Sequence, residues 1–166
     1  MMKTIKCIAF FICSLFVVSA SAQEYRIENN EVKIDKEIKF KTGTAELLLE
    51  SDAALLVIKK YLEDKPYISL LRIEAHTDNS GNAEANQSLS EKRAEAVSDR
   101  LVALGVDCTR LLPVGFGGNK PVATNSTPEG KAQNRRISFV NAAIKGKAIG
   151  GMPIDGGGKV AVNPCK

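Results

Sequence analysis

Residues 68–105, ISLLRIEAHTDNSGNAEANQSLSEKRAEAVSDRLVALG, contain the strand, the polar segment and the helix that decide the fold. The first seven residues are rich in isoleucine and leucine, which predicts a largely buried strand. A polar segment follows over 76–86. Ser88 and Glu91 then fit a capping box, so we expect a helix that begins at Ser88 and ends at Gly105.

The sequence before this stretch predicts a hairpin, a strand and another helix. Polar and apolar residues alternate over 26–28 and 31–34 on either side of an Asn-Asn pair, which is the pattern of a hairpin. The alternation continues as a strand over 38–40. Between Thr44, a possible N-cap, and Pro66, apolar residues recur at helical spacing, at Leu48, Leu55, Ile58 and Leu62.

The sequence after this stretch predicts two more strands, over 111–116 and 136–140, joined by a long loop over 117–133. The predicted order is strand, helix, strand, helix, strand, loop, strand. This order is typical of an α/β (α+β) two-layer sandwich, with two main helices packed on one mixed β-sheet.

The N-terminal residues have the three parts of a secretory signal peptide. Lys3 and Lys6 form the basic start, residues 8–18 are almost entirely apolar, and Ala-Ser-Ala at 20–22 fits an A-x-A cleavage site. The apolar run is shorter than the roughly 20 residues that span a bilayer. We therefore expect an exported protein, in the periplasm or associated with the outer membrane, whose mature chain begins at Gln23.

The composition excludes a nucleic-acid-binding surface. The chain has 23 Lys and Arg residues against 19 Asp and Glu. Removing Lys3 and Lys6 with the signal peptide leaves 21 against 19, and the basic residues are scattered instead of gathered in a stripe. The mature length suits one domain with a core of its own.

The four cysteines divide into two pairs. Cys7 and Cys13 lie in the signal peptide; Cys13 could carry a lipid, but the two residues before it are large, whereas lipidation favours small ones. Cys108 and Cys165 remain after cleavage. In an oxidising compartment this pair predicts a disulfide, and two free thiols are the alternative.

Arg93 is the unusual residue of the second helix. It stands four residues after Leu89 and four before Val97, in phase with the stripe that faces the core. Since burying an unpaired charge is costly, either an internal carboxylate or an anionic ligand would satisfy the guanidinium. The remaining alternative is that Arg93 extends its head group to water from the helix edge.

Asp78 belongs to the polar segment just beyond the end of the predicted strand. Ligands of open α/β sheets collect at strand ends and at helix N-termini, so Asp78 and Arg93 could face each other across one crevice. A carboxylate that accepts an ammonium and a guanidinium that grips a carboxylate would together hold a zwitterionic amino-acid group.

The sequence resembles the OmpA-like C-terminal domain family over residues 37–141. The resemblance rests on motifs that occur in the same order and at compatible spacings. They are His76-Thr77-Asp78, Asn86, Leu89-Ser90, Arg93-Ala94, Gly115-Phe116-Gly117, Pro121, Asn125 and Asn134-Arg135-Arg136-Ile137.

The resemblance implies non-covalent binding of peptidoglycan through the diaminopimelate of its stem peptide, with no catalysis, metal or cofactor. Asp78 would hold the amino group and Arg93 the carboxylate of diaminopimelate. The same crevice would be lined by Thr77, Asn86, Leu89 and Ser90, with Arg136 near the glycan side or bracing the site. Such a module would tether envelope components, including protein partners, to the cell wall.

The resemblance also divides the chain. We expect a signal peptide over 1–22, an N-terminal segment with the hairpin over 23–36, an OmpA-like peptidoglycan-binding domain over 37–141 and a glycine-rich tail over 142–166. The many glycines of the tail predict an extended or mobile segment.

Two other functions are open. An exported cell-wall hydrolase would need two catalytic carboxylates or an activated nucleophile, whereas Asp78 beside an arginine should be fully ionised. His76, the single histidine, is expected to hydrogen-bond the loop and not to act as a base. A structural interaction module that has lost its ligand is the third possibility.

We predict that export removes residues 1–22, because Ala20 and Ala22 satisfy the cleavage rule. Mass spectrometry of the mature N-terminus should find Gln23. A species that begins at Cys13 and carries lipid mass would contradict this prediction.

Overall fold

A mixed β-sheet with helices on one face forms the scaffold. The computed structural model describes residues 24–149, 155–162 and 165, and the predicted signal peptide lies outside them. The elements are β1 (Tyr25–Glu28), β2 (Glu31–Ile34), α1 (Asp52–Asp64), β3 (Ile68–His76), α2 (Ala83–Ala103), β4 (Leu111–Gly117), α3 (Pro128–Asn134), β5 (Ile137–Ile144), β6 (Lys147–Ala148) and β7 (Lys159–Val160).

The sheet has the strand order β1-β2-β5-β3-β4-β7, and β6 pairs with β5. Strands β3 and β4 are parallel, with Leu71 opposite Leu111, while β5 runs antiparallel to β3, with Phe139 opposite Ile73. A parallel pair needs a crossover connection, and α2 supplies it between β3 and β4. The central position of β3 explains its burial along almost its whole length.

The core lies between the sheet and the first two helices. Helix α1 buries Leu55, Ile58 and Leu62, which are residues of its predicted apolar stripe. Helix α2 buries Val97 and Leu101 of its stripe. The predicted two-layer sandwich of two main helices on one mixed sheet is therefore confirmed.

The predicted starts of the two main helices are wrong. Thr44 closes a local turn, in which its hydroxyl donates to Lys41 O and accepts from Glu46 N, and α1 begins only at Asp52 after a 3-10 turn at Leu49–Ser51. Helix α2 begins at Ala83, five residues before Ser88. Asn82 caps it, since its side chain accepts from Ala85 N at 2.9 Å, and asparagine is as good an N-cap as serine.

Two smaller corrections concern the loops. The predicted strand over 38–40 is a single bridge between Phe40 and Leu47. The predicted loop over 117–133 contains the start of α3, where Thr127 accepts from Gly130 N at 3.1 Å and a proline occupies the first turn. A threonine followed by proline is a helix start signal that a loop assignment overlooks.

Two short segments of the described tail pair with the sheet, while residues 155–157 form a turn. Strand β6 forms a hairpin with β5, and β7 pairs with β4, with Val160 opposite Val114. The Cys108 and Cys165 sulfurs form a disulfide, as the sequence predicts, with the two Cα atoms 5.2 Å apart. This bond fixes the end of the tail beside the turn that leads into β4.

We expect the disulfide to contribute about 4 kcal/mol to stability in the chain-entropy model, because it joins residues 57 apart in sequence. Thermal unfolding of the double variant Cys108→Ser/Cys165→Ser should match that of reduced wild-type protein, both well below the oxidised wild type. The double variant should not respond to reductant, which makes it the control. Two free thiols in unfolded, unreduced wild-type protein would contradict this prediction.

Candidate functional site

The candidate site lies where the loop after β3 meets the starts of β5 and α2. His76 N donates to Arg136 O, and Thr77 N donates to Gly117 O, each at 2.9 Å. The loop over 77–82 is therefore anchored at its beginning to both neighbours of β3. It leads directly into the N-cap of α2.

Helix α2 is held against β4 at a fixed distance by a glycine and a serine. A Cβ at Gly115 would lie 2.4 Å from Glu91 N, so no larger residue fits there without moving the helix. The Ser90 hydroxyl accepts from Gly117 N and donates to Gln87 O, each at 2.8 Å. Ser90, predicted to line the crevice, is completely buried. Its two hydrogen bonds position the helix.

Asp78 is a buried carboxylate with two partners. Its Oδ2 accepts from Arg135 Nη1 at 2.6 Å, and its Oδ1 accepts from Ser80 N at 2.9 Å. Burial by itself would raise the pKa of Asp78, but the hydrogen bonds from Arg135 and Ser80 outweigh it and hold the pKa below its ordinary value. The carboxylate is consequently ionised at neutral pH.

Arg93 lies half-buried on the flank of α2 and has no carboxylate partner among the described residues. Its Nε donates to Thr44 O at 2.9 Å, and its guanidinium carbon lies 5.0 Å from the centre of the Phe40 ring. Burial, together with the nearby charge of Arg135, lowers the pKa of Arg93. Of the alternatives raised by the sequence, an internal carboxylate partner is thus excluded for the described residues.

Arg135 is the site residue that the sequence interpretation missed. It donates to Asp78 and lines the same small cavity as Arg93, whose pKa its charge helps to lower, so Arg135 is the described residue that links the two. Arg93, Arg135 and Arg136 line a small cavity of about 30 Å³. The signal was present in the Asn134-Arg135-Arg136 motif, but sequence alone did not show which arginine reaches Asp78.

The other predicted site residues hold the loops around this cavity. Thr77 Oγ1 donates to Asp78 O at 2.8 Å, and Asn86 Nδ2 donates to Ser80 O at 2.8 Å. Arg136 donates to Lys120 O at 3.2 Å and to Asn134 O at 3.5 Å. Leu89 is half-buried on α2.

A second missed residue, Asn134, organises the loop that faces Asp78. It is completely buried, and its Oδ1 accepts from Val122 N at 2.8 Å and Ala123 N at 3.1 Å. Its Nδ2 donates to Asn125 Oδ1 at 2.9 Å, and that oxygen also accepts from Asn79 N at 3.3 Å. This chain of amides connects the start of β5 to the loop after β3.

His76 packs as a neutral ring. It is buried, stacks on Phe116 with ring centres 5.2 Å apart, and has its Nε2 3.4 Å from Glu74 Oε2. Burial lowers the pKa of His76 below its ordinary value. Neither ring nitrogen makes a hydrogen bond within the described residues, so the expected hydrogen bond from this side chain to the loop is not formed.

The fold and the arginine-lined crevice define a small α/β domain suited to holding a zwitterionic or anionic group. The chain belongs to the OmpA family, whose family model matches residues 39–135. This confirms the resemblance drawn from the sequence motifs.

Three known proteins illustrate the similarity. The chain is 38% identical over 107 residues to outer membrane porin F of Pseudomonas aeruginosa, covering 64% of this chain and 30% of porin F. It is 47% identical over 68 residues to the peptidoglycan-binding protein ArfA of Mycobacterium tuberculosis, covering 41% of this chain and 21% of ArfA. The cell wall anchor of the type VI secretion system of P. aeruginosa is 30% identical, with a TM-score of 0.60 over 74% of this chain and 90% of the anchor.

The names of these relatives agree with the predicted location in the bacterial envelope, in the periplasm or at the outer membrane. The chain corresponds to less than a third of porin F and of ArfA. No helix in the described part of the chain is long and apolar enough to cross a membrane. The same residues contain no cluster of three or more side chains that could hold a metal ion.

We expect Arg135→Gln to raise the pKa of Asp78, because the hydrogen bond that lowers it is lost while burial remains. Asp78 in the wild type should stabilise the fold above its unfolded pKa of about 4, and this contribution should disappear as the pH falls through its lower folded pKa. Carboxylate titration by NMR would measure the shift.

Arg100→Gln provides the matched control for that titration. It removes the arginine hydrogen-bonded to Asp52, so the pKa of Asp52 should rise while that of Asp78 stays constant. An unchanged Asp78 titration in Arg135→Gln would show that Arg135 does not control this carboxylate.

Proposed function

We propose that this domain binds peptidoglycan non-covalently through the diaminopimelate of its stem peptide and so tethers envelope components to the cell wall. Arg93 takes the carboxylate of the diaminopimelate side chain, and Asp78 takes its ammonium. Thr77, Asn86, Leu89, Ser90 and Arg136 form or brace the surrounding crevice. Relatives described as a peptidoglycan-binding protein and as a cell wall anchor support this proposal.

The observation that carries the proposal is that Arg93 is half-buried without a carboxylate partner among the described residues. In the described part of the chain, its guanidinium contacts one carbonyl oxygen and one aromatic ring. A guanidinium has five N–H donors in a fixed fork, which match the two oxygens of a carboxylate. Arg93 therefore retains the donors that a ligand carboxylate needs.

Asp78 can accept an ammonium without losing its present partners. An ionised carboxylate offers about four lone-pair sites, and the structure uses one on each oxygen, for Arg135 and Ser80. Arg135 would in addition keep the carboxylate ionised and oriented while the ligand binds. We therefore assign Arg135 as a positioning residue for Asp78.

The same geometry favours binding over hydrolysis. A general acid must carry a proton at the working pH, whereas hydrogen bonds keep the pKa of Asp78 low. His76 is neutral and buried against Phe116. The third possibility, a module that has lost its ligand, differs from the proposal in one measurable property, which is affinity for peptidoglycan.

We expect Arg93→Ala to abolish binding of purified peptidoglycan sacculi and of free meso-diaminopimelate while the domain stays folded. Losing one partner of a desolvated charged contact costs about 2 to 5 kcal/mol, or about thirtyfold to several thousandfold in affinity. Asp78→Ala should have the same effect. Arg93→Lys should restore binding only in part, because a point charge cannot grip both oxygens of a carboxylate. Co-sedimentation and calorimetry measure these changes.

Arg100→Ala is the matched control, since Arg100 lies on the same helix but pairs with Asp52 away from the crevice. It should bind sacculi as the wild type does. If Arg93→Ala folds and still binds sacculi normally, the ligand site is elsewhere. If Arg93→Ala unfolds, Arg93 is a structural charge.

A further inference from the structure

Beside the Asp78 and Arg93 crevice, the N-terminal hairpin and β5 enclose a second, larger depression, which we call the hairpin groove. It has a volume of about 430 Å³. One wall carries Ile34, Lys36 and Ile38, and the other carries Arg136, Ile137 and Ser138. Residues 24–38, which form the first of these walls, lie before the part of the chain that the OmpA family model matches.

The groove exists because β2 and β5 separate. Their antiparallel ladder pairs Glu31 with Val140 and Val32 with Phe139, and then stops. Beyond the last pair, β2 runs on to Ile34, and the antiparallel β5 extends alongside it towards its own first residue, Ile137. The strands diverge over this stretch, which leaves space between them for an extended ligand.

Arg136 is the charged group of the groove that lacks an ionic partner among the described residues. It is half-buried, and it donates only to the carbonyl oxygens of Lys120 and Asn134. Of the acidic side chains that could neutralise it, Glu31 pairs with Lys33 and Glu74 pairs with Arg72, each at 2.6 Å. Burial lowers the pKa of Arg136, as it does for Arg93.

The groove and the crevice form one continuous surface. Ile38, Arg135, Arg136 and Ile137 line both the hairpin groove and the small cavity that contains Arg93. Five cations line this surface, namely Lys33, Lys36, Arg93, Arg135 and Arg136, together with the carboxylates of Glu31 and Glu37. Asp78, bonded to Arg135, is the third carboxylate, so a local excess of two positive charges remains. The zwitterionic end of diaminopimelate does not neutralise this excess, so the surface fits a ligand with a further negative charge.

We propose that the hairpin groove is a second subsite, in which Arg136 binds a second carboxylate of the peptide whose diaminopimelate occupies the Asp78 and Arg93 crevice. This proposal rests on the proposed function. The carboxylate is the α-carboxylate of the γ-linked glutamate next to diaminopimelate in the stem peptide. The diaminopimelate side chain, the amide bond and the carbon chain of the γ-linked glutamate lie between the two carboxylates, so the ligand is long enough to pass from the crevice into the adjoining groove. The groove would then distinguish a stem peptide with this free carboxylate from one in which it is amidated.

The test is calorimetric titration of the mature protein with three ligands: meso-diaminopimelate, the tripeptide L-Ala-γ-D-Glu-meso-diaminopimelate, and the same tripeptide with the glutamate α-carboxylate as an amide. The wild type should bind the free carboxylate form about tenfold or more tightly than the amide, as expected for one charge-assisted hydrogen bond. Arg136→Gln should remove this preference, so that the ratio of the two tripeptide affinities falls to about one. Because Arg136 also braces the crevice, its effect on diaminopimelate alone is measured separately and the preference is taken from that ratio. Arg136→Lys, which keeps the charge, should retain part of the preference.

A second variant keeps the test decisive if Arg136→Gln fails to fold, since Arg136 also holds two loop carbonyls. Lys36→Glu places a negative charge on the opposite, exposed wall and should weaken binding of the carboxylate tripeptide only. Lys147→Glu makes the same charge change on the exposed strand β6 and should have no effect.

The outcomes separate this inference from the proposed function. If wild-type protein binds diaminopimelate and both tripeptides without preference, the second subsite is wrong and the proposed function stands. If it binds none of the three ligands, the proposed function fails and the subsite fails with it. A preference that persists in both Arg136→Gln and Lys36→Glu would place the carboxylate contact outside the hairpin groove.

Discussion

The close approach of α2 to β4 is the contact on which the site depends. Gly115 allows the helix backbone to lie where a side chain would otherwise stand. Gln87 donates to the carbonyl oxygen of Gly115 itself, and the Ser90 hydroxyl accepts from Gly117 N. This contact fixes the rotation of α2, and the rotation decides that Arg93 emerges on the flank beside Phe40. Residues buried between the helix and the strand thereby determine where the Arg93 side chain lies.

At the site, some arginines lack a carboxylate partner among the described residues. Arg100, on the same helix, is an arginine with a carboxylate partner. Its hydrogen bonds to Asp52 raise the pKa of Arg100. The pKa values of Arg93 and Arg136 are instead lowered, since burial removes water and no carboxylate of the described residues bonds either guanidinium; Glu31 and Glu74 offset the shift at Arg136 only in part. Such partly desolvated cations destabilise a fold unless an anion neutralises them. A ligand that carries carboxylates would relieve this cost on binding.

Two segments outside the residues matched by the family model pair with the edges of the sheet. The hairpin at the N-terminal end extends the sheet beside β5, while the described part of the tail pairs with β4 at the other edge and is fixed by the disulfide. Pairing these two edges with further chain leaves fewer exposed backbone groups for unwanted strand association. On one side the hairpin also shapes the groove next to the arginine cluster.

The amino-acid sequence alone determined the buried strand β3 and the apolar stripes of α1 and α2, because these depend on local periodicity. The hairpin around Asn29-Asn30 follows from turn chemistry, and the pair Cys108 and Cys165 follows from composition. It also indicated the neighbourhood of Asp78 and Arg93. Only the tertiary structure decided that Asp78 pairs with Arg135, 57 residues away, and that Arg93 has no carboxylate beside it among the described residues. The physical reason is that periodicity shows which face of an element a side chain occupies, whereas the partner of a charge depends on which distant loops the packing of β3, β5 and α2 brings within hydrogen-bonding distance.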